Sequence, residues 1–237
     1  MMFCRFLTFE DYMRKLDVVN RGYGGYSTSE AIHILPEILS AETSDLSKVK
    51  LLTIFWGTND AVDTFQHVQI DQYRENIDKL VKLALSYDIK PIVIGPTLHD
   101  PNLYNENYVS GRFLYADTAT STKNKIYSEA AREAATANGV PFVDLWHLFL
   151  EYGSWQESEA DDLKGKDTAE GKSITDLLAD GIHFAPEGYR ILYAGVDEAI
   201  RKNYPELYWD NLPSHLCAWD KIDKKNIKES VFLGEKV

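Results

Sequence analysis

Residues 49–56 (VKLLTIFW) and 91–96 (PIVIGP) are almost unbroken apolar runs of strand length. Strands of that kind bury both faces, which points to the interior of a parallel sheet covered by helices rather than to a half-exposed antiparallel one. The intervening sequence fits. Residues 70–87 place Tyr73, Ile77, Leu80, Val81 and Ala84 at helical spacing, and 120–138 form an Ala-, Glu- and Lys-rich helix ending at Gly139, where a C′ glycine belongs. A further strand is expected over 141–145, and a last helix over 186–202 with Pro186 in its first turn. Near the start, 16–20 (LDVVN) reads as a short strand ending in the Gly-rich turn 21–25. A helix capped by Ser27 or Thr28 follows, with Ala31, Ile32, Ile34 and Leu35 on its apolar face. Strands that alternate with helices define an α/β domain with a parallel sheet and right-handed crossovers.

The 237 residues suffice for one sizeable core, expected over 1–205. Two segments read as peripheral. Residues 157–172 (ESEADDLKGKDTAEGK) are so rich in charge that a solvated loop is expected, and 206–237 is expected to be a tail that packs on the domain or is partly disordered. A net charge of -12 argues against a nucleic-acid partner and against a polybasic membrane surface. Cys4 and Cys217 lie far apart and in no Cys-x-x-Cys pattern, as suits a reducing, cytoplasmic compartment. His33, His67, His99, His147, His183 and His215 show no ligand spacing with either cysteine, so no metal site is expected. Residues 1–9 lack a signal-peptide h-region, and no apolar run approaches the roughly 20 residues that cross a bilayer, so no membrane insertion is expected.

Three loops carry chemistry. Asp180 precedes His183 by three residues at the mouth of the last helix; a carboxylate there can accept from the ring Nδ1–H and leave Nε2 as a general base. The turn Gly57-Thr58-Asn59-Asp60 follows a buried strand, and an asparagine amide so placed can face a developing oxyanion. Gly24-Gly25, after the first expected strand, offers a backbone N–H for the same purpose. In a parallel sheet such loops gather at the C-terminal strand ends.

In this order the motifs resemble the SGNH hydrolases, the GDSL esterase/lipase family, and within it the isoamyl acetate-hydrolysing esterase branch. The resemblance runs over about 11–205 and is carried by 14–26 (RKLDVVNRGYGGY), 57–60 (GTND), 90–96 (KPIVIGP) and 180–184 (DGIHF). It implies a flavodoxin-like three-layer α/β/α fold and an acyl-enzyme hydrolysis of small, uncharged short-chain esters of the acetate type, without metal or organic cofactor. His183 becomes the general base, Asp180 its orienting carboxylate, and Gly25 and Asn59 the oxyanion-hole donors. Tyr23, Tyr26, Trp56 and Phe184 flank these positions and can line an apolar pocket, although aromatic side chains are more often core.

One part of the pattern is absent. The family's Gly-Asp-Ser block should come first, but residues 1–13 (MMFCRFLTFEDYM) hold no serine. The strand bearing it belongs between 16–20 and 51–56, so the fold is expected to lack its first family strand. Residues 3–9 are β-prone, yet 10–15 is too short for a parallel crossover, which takes a dozen residues or more. Ser27 and Ser29 follow the oxyanion turn, but Ser27 is better placed as a helix cap. The expectation is an N-terminally truncated esterase with no nucleophile and little or no activity. A non-catalytic binding protein on the same fold, and another SGNH activity such as carbohydrate deacetylation or thioester hydrolysis, stay open, as does a homodimer. A flavodoxin-like nucleotide binder is disfavoured, because no phosphate loop follows the first strand.

Overall fold

The computed structural model describes residues 10–45, 47–111 and 118–233. Among these residues the sheet has three parallel strands in the order β1 (Leu51–Phe55), β2 (Lys90–Ile94), β3 (Phe142–Val143). β1 and β2 pair from Leu51↔Lys90 to Phe55↔Ile94, and β2 meets β3 at Val93↔Phe142 and Ile94↔Val143. Side chains alternate across a strand, and β2 shows the consequence: Ile92 and Ile94 enter one core cluster while Val93 enters another.

Helices cover both faces. Val93 faces α1 (Thr28–Glu42), α2 (Ile70–Ser86) and α4 (Ser121–Ala137), packing with Ala31, Tyr73, Ile77, Val81, Tyr127 and Ala131. Ile92 and Ile94 face α5 (Leu145–Gly153), α6 (Ile174–Leu177) and α7 (Pro186–Asn203), packing with Trp146, Phe149, Leu177, Leu192 and Val196. This is the expected three-layer α/β/α arrangement. A further helix, α3 (Pro101–Val109), follows the loop after β2; Asp100 caps it through the Leu103 N–H at 2.8 Å and Pro101 opens it.

Three expectations need correction. Residues 16–20 form no strand, and Val19 is exposed. Among the described residues β1 has a sheet neighbour on one side only, and a strand whose N–H and C=O groups find no partner chain does not form. Residues 3–9, weighed for that place, lie outside the described residues. The strand expected over 141–145 is cut to Phe142–Val143 because Asp144 turns the chain into α5, its carboxylate accepting from the His147 N–H. Residues 157–172 are anchored rather than merely solvated: Ala160 and Leu163 are buried in the core, and Asp161 accepts from the Thr122 N–H at 2.8 Å and hydroxyl at 2.6 Å. Of the aromatics that flank the motifs, Trp56 and Phe184 pack against the core, while Tyr23 and Tyr26 are exposed.

Candidate active site

Asp180 sits in a tight loop between Leu178 and Phe184, which form an antiparallel bridge, with the Ala179 N–H donating to the His183 carbonyl at 2.7 Å. The Asp180 carboxylate, 1% exposed, accepts from the backbone N–H of Ile182 (3.2 Å) and of His183 (2.9 Å). The same carboxylate lies 3.0 Å from His183 Nδ1. A carboxylate only accepts, so this contact puts the imidazole proton on Nδ1 and the lone pair on Nε2. The His183 side chain is 69% exposed, so an Asp180 held inside the protein orients a ring held outside it. Burial pushes the Asp180 carboxyl up, but the bonds from the His183 N–H, the His183 ring and the Ile182 N–H outweigh it and hold the group below its ordinary range.

The sign of the pH dependence follows. A depressed carboxyl contributes stability above its unfolded value and loses it as pH falls through the folded one. Acid titration should therefore destabilise the protein as Asp180 protonates, and Asp180→Asn should flatten that limb while costing about 1–2 kcal/mol at neutral pH. Urea midpoints taken from neutral into acidic conditions check this; an unchanged acid limb in the variant would contradict it.

The loop after β1 builds the other half. Gly57 has φ +125°, open in practice only to glycine, and a Cβ there would lie 2.8 Å from Tyr73 Oη, which donates to the Trp56 carbonyl. From this loop three side chains reach the segment 25–28. Gln66 Nε2 donates to the Gly25 carbonyl at 2.7 Å, and Asn59 Nδ2 to the Tyr26 carbonyl at 2.7 Å. Asp60, fully buried, accepts from the Thr28 N–H at 2.9 Å and from its hydroxyl. Asn76 on α2 then donates to Thr28 Oγ1 at 3.1 Å. Gly25 and Asn59 are thereby brought together, as their motifs suggested, while Gln66 and Asp60 are residues that the motif reading gave no role. Ser27 is the cap of α1 in a capping box with Glu30, and Ser29 is exposed.

The two halves meet through the end of β1. Phe55, two residues before Gly57, packs its ring 6.2 Å from that of Phe184, next to His183. Gly181 is crossed by the loop after β2, whose Asp100 N–H donates to the Gly181 carbonyl at 3.0 Å. Tyr23 and Tyr26 stack on each other at 5.6 Å on the exposed side of the Gly25 turn. A groove of about 810 Å³ between β3, α5 and α7 is lined by Phe142, Leu148, Tyr152 and Ile191 and holds none of the four motif residues.

A parallel sheet with an Asn-Asp turn after β1 and an acid-oriented histidine in the loop between α6 and α7 is compatible with an acyl- or ester-bond hydrolase scaffold. The model of the GDSL-like lipase/acylhydrolase family matches residues 8–191, and the chain belongs to this family. It is 34% identical over 222 residues to the isoamyl acetate-hydrolyzing esterase of Saccharomyces cerevisiae, covering 92% of this chain and 83% of the relative. To the human isoamyl acetate-hydrolyzing esterase 1 homolog it is 27% identical over 212 residues, covering 83% and 75%. Among solved structures, the lipase/acylhydrolase from Enterococcus faecalis superposes with TM-score 0.60 at 22% identity, over 92% of this chain and 90% of that one. An acetylxylan esterase from Geobacillus stearothermophilus gives 0.54 at 18%, over 77% and 71%. At these identities the structural likeness is one of fold.

Proposed function

We propose that the chain carries the acid–base and oxyanion sides of a site for small, short-chain esters of the acetate type, and that residues 1–237 by themselves hydrolyse such esters little or not at all. The Asp180–His183 pair carries the reading: a buried carboxylate fixes the tautomer of an exposed imidazole. In this reading Nε2 of His183 takes a proton from the attacking group and returns it to the leaving alcohol. Asn59 spends one amide N–H on the Tyr26 carbonyl, which sets the direction of the second toward the developing oxyanion; the Gly25 N–H is the other donor. The relatives' names support the acetate-ester class.

Low turnover is proposed because acyl transfer needs a nucleophile, and in this reading Ser27 and Ser29, the serines nearest the oxyanion loop, do not supply one. Ser27 Oγ is 2.7 Å from Glu30 in the α1 cap. A base and an oxyanion hole left without their serine retain only a small residue of the normal rate. The test is p-nitrophenyl acetate hydrolysis by the chain and by His183→Ala. Rates near the buffer background for both are expected. Robust activity lost on His183→Ala would overturn the claim of low turnover but uphold the role of His183; robust activity kept in that variant would overturn the site itself.

A further inference from the structure

The loop 157–172 ties three helices together. Glu157 pairs with Lys125 of α4 at 2.5 Å and with His147 of α5 at 3.2 Å. Asp161 holds the first turn of α4 through Thr122, and Ala160 and Leu163 fix the loop in the core. From that base two residues reach α3: Asp162 accepts from Asn102 Nδ2 at 3.1 Å, and Lys164 pairs with Glu106. Asn102 and Glu106 are four residues apart and so lie on one side of the helix.

α3 needs such a grip. Of its nine residues only Leu103 is buried, so apolar packing contributes little to its seat. Yet the Asp180–His183 loop rests on its first turn. The Asp100 N–H donates to the Gly181 carbonyl at 3.0 Å, and a Cβ at Gly181 would lie 2.6 Å from the Tyr104 nitrogen. Gly181 stands between the two members of the pair. A displacement of α3 is therefore passed to the turn in which the Ile182 and His183 N–H groups bond the Asp180 carboxylate.

We propose that Asp162 and Lys164 are positioning residues for His183, acting through α3. The Lys164–Glu106 pair and the Asp162–Asn102 bond set where the first turn of α3 sits. That turn sets the Gly181 carbonyl, and with it the direction of the imidazole. An exposed ion pair contributes little to global stability, so the effect is local: the fold keeps its strength while the ring loses its aim. The proposal rests on the reading of His183 as the general base, but the seating of the ring is measured without turnover.

Amide hydrogen exchange and nitrogen NMR spectra of the His183 ring, both on the full chain, test it. The Asp100 amide reports the bond from α3 to Gly181, and the Val93 amide, bonded to the Pro141 carbonyl at 3.0 Å within the sheet, is the control. Lys164→Glu and Glu106→Lys each replace an attraction by a repulsion. Each should speed exchange at Asp100 about fivefold, leave Val93 unchanged and move the His183 ring signals. Combined, the two substitutions restore a pair of opposite charges and should return both readouts toward wild type, a rescue that misfolding would not give. Asp162→Ala should act as the single reversals do. Unchanged exchange at Asp100 in the single variants, or ring signals that stay in place while that exchange quickens, overturns the proposal. So does an acceleration shared equally by Val93, or a double variant no better than the singles. Ester hydrolysis plays no part in these readouts, so a failure of the general-base reading, seen with His183→Ala, is told apart from a failure of this one.

Discussion

Gly181→Val should lower the stability of the fold by about 3–5 kcal/mol, combining backbone strain with overpacking. Gly181 has φ +95°, and a Cβ built there would lie 2.6 Å from both the Asp100 carbonyl oxygen and the Tyr104 nitrogen. Both are backbone atoms, so no side chain can swing aside. The contact also lies where the Asp100 N–H bonds the Gly181 carbonyl, which means that relief of the clash pulls the Asp180–His183 loop away from the start of α3. Urea unfolding should show a lower midpoint with an unchanged slope, as for a loss of stability without a change in the surface exposed. Gly181→Ala should fall between valine and wild type. A valine variant within about 0.5 kcal/mol of wild type, the usual range of an inconsequential surface change, would show that the two loops do not cross so closely.

Asp60→Leu is the second large effect, expected at about 3–4 kcal/mol. The substitution removes the acceptor of the Thr28 N–H and hydroxyl inside a fully buried pocket, and strands the donor–acceptor chain that continues to Asn76. Asp60→Asn keeps a carbonyl oxygen for Thr28 and should lose much less. Burial pushes the Asp60 carboxyl upward, with the Thr28 bonds only partly offsetting it. The pH dependence therefore has the opposite sign to that of Asp180. A carboxyl raised in the folded state binds its proton more tightly there, so its share of stability declines as pH climbs from the ordinary carboxylate value through the raised one. Asp60→Asn should remove that decline, and chemical denaturation in buffers spanning this range checks it. A leucine variant as stable as wild type would mean that the segment 25–28 is held without Asp60.

The helices and the strands they connect were legible because their signals are local. The stripe from Tyr73 to Ala84 gave α2, Gly139 gave the end of α4, and Pro186 gave the start of α7. Asp100-Pro101 and Asp144 carried capping signals of the same kind for α3 and α5, which hydrophobic pattern alone did not bring out. Residues 16–20 misled because an apolar run records a preference for extended backbone but not the presence of a partner chain. In the site, Asp180–His183 is legible since its bond spans three residues. The bonds from Asp60 to Thr28 and from Gln66 to Gly25 span 32 and 41 residues, and no spacing rule reaches that far.

The division of β2 between two core clusters bears on how the site comes apart. The segment 25–28 and its holders sit over the layer that leans on Val93, whereas the Asp180–His183 loop joins α6 to α7 over the layer that leans on Ile92 and Ile94. One five-residue strand is thus a party wall between two rooms. Neither half of the site can loosen alone for long, because the layer that melts takes with it the surface against which the other is packed. The Asp180–His183 loop and the segment 25–28 lean on opposite faces of one strand, so whatever unseats that strand unseats both.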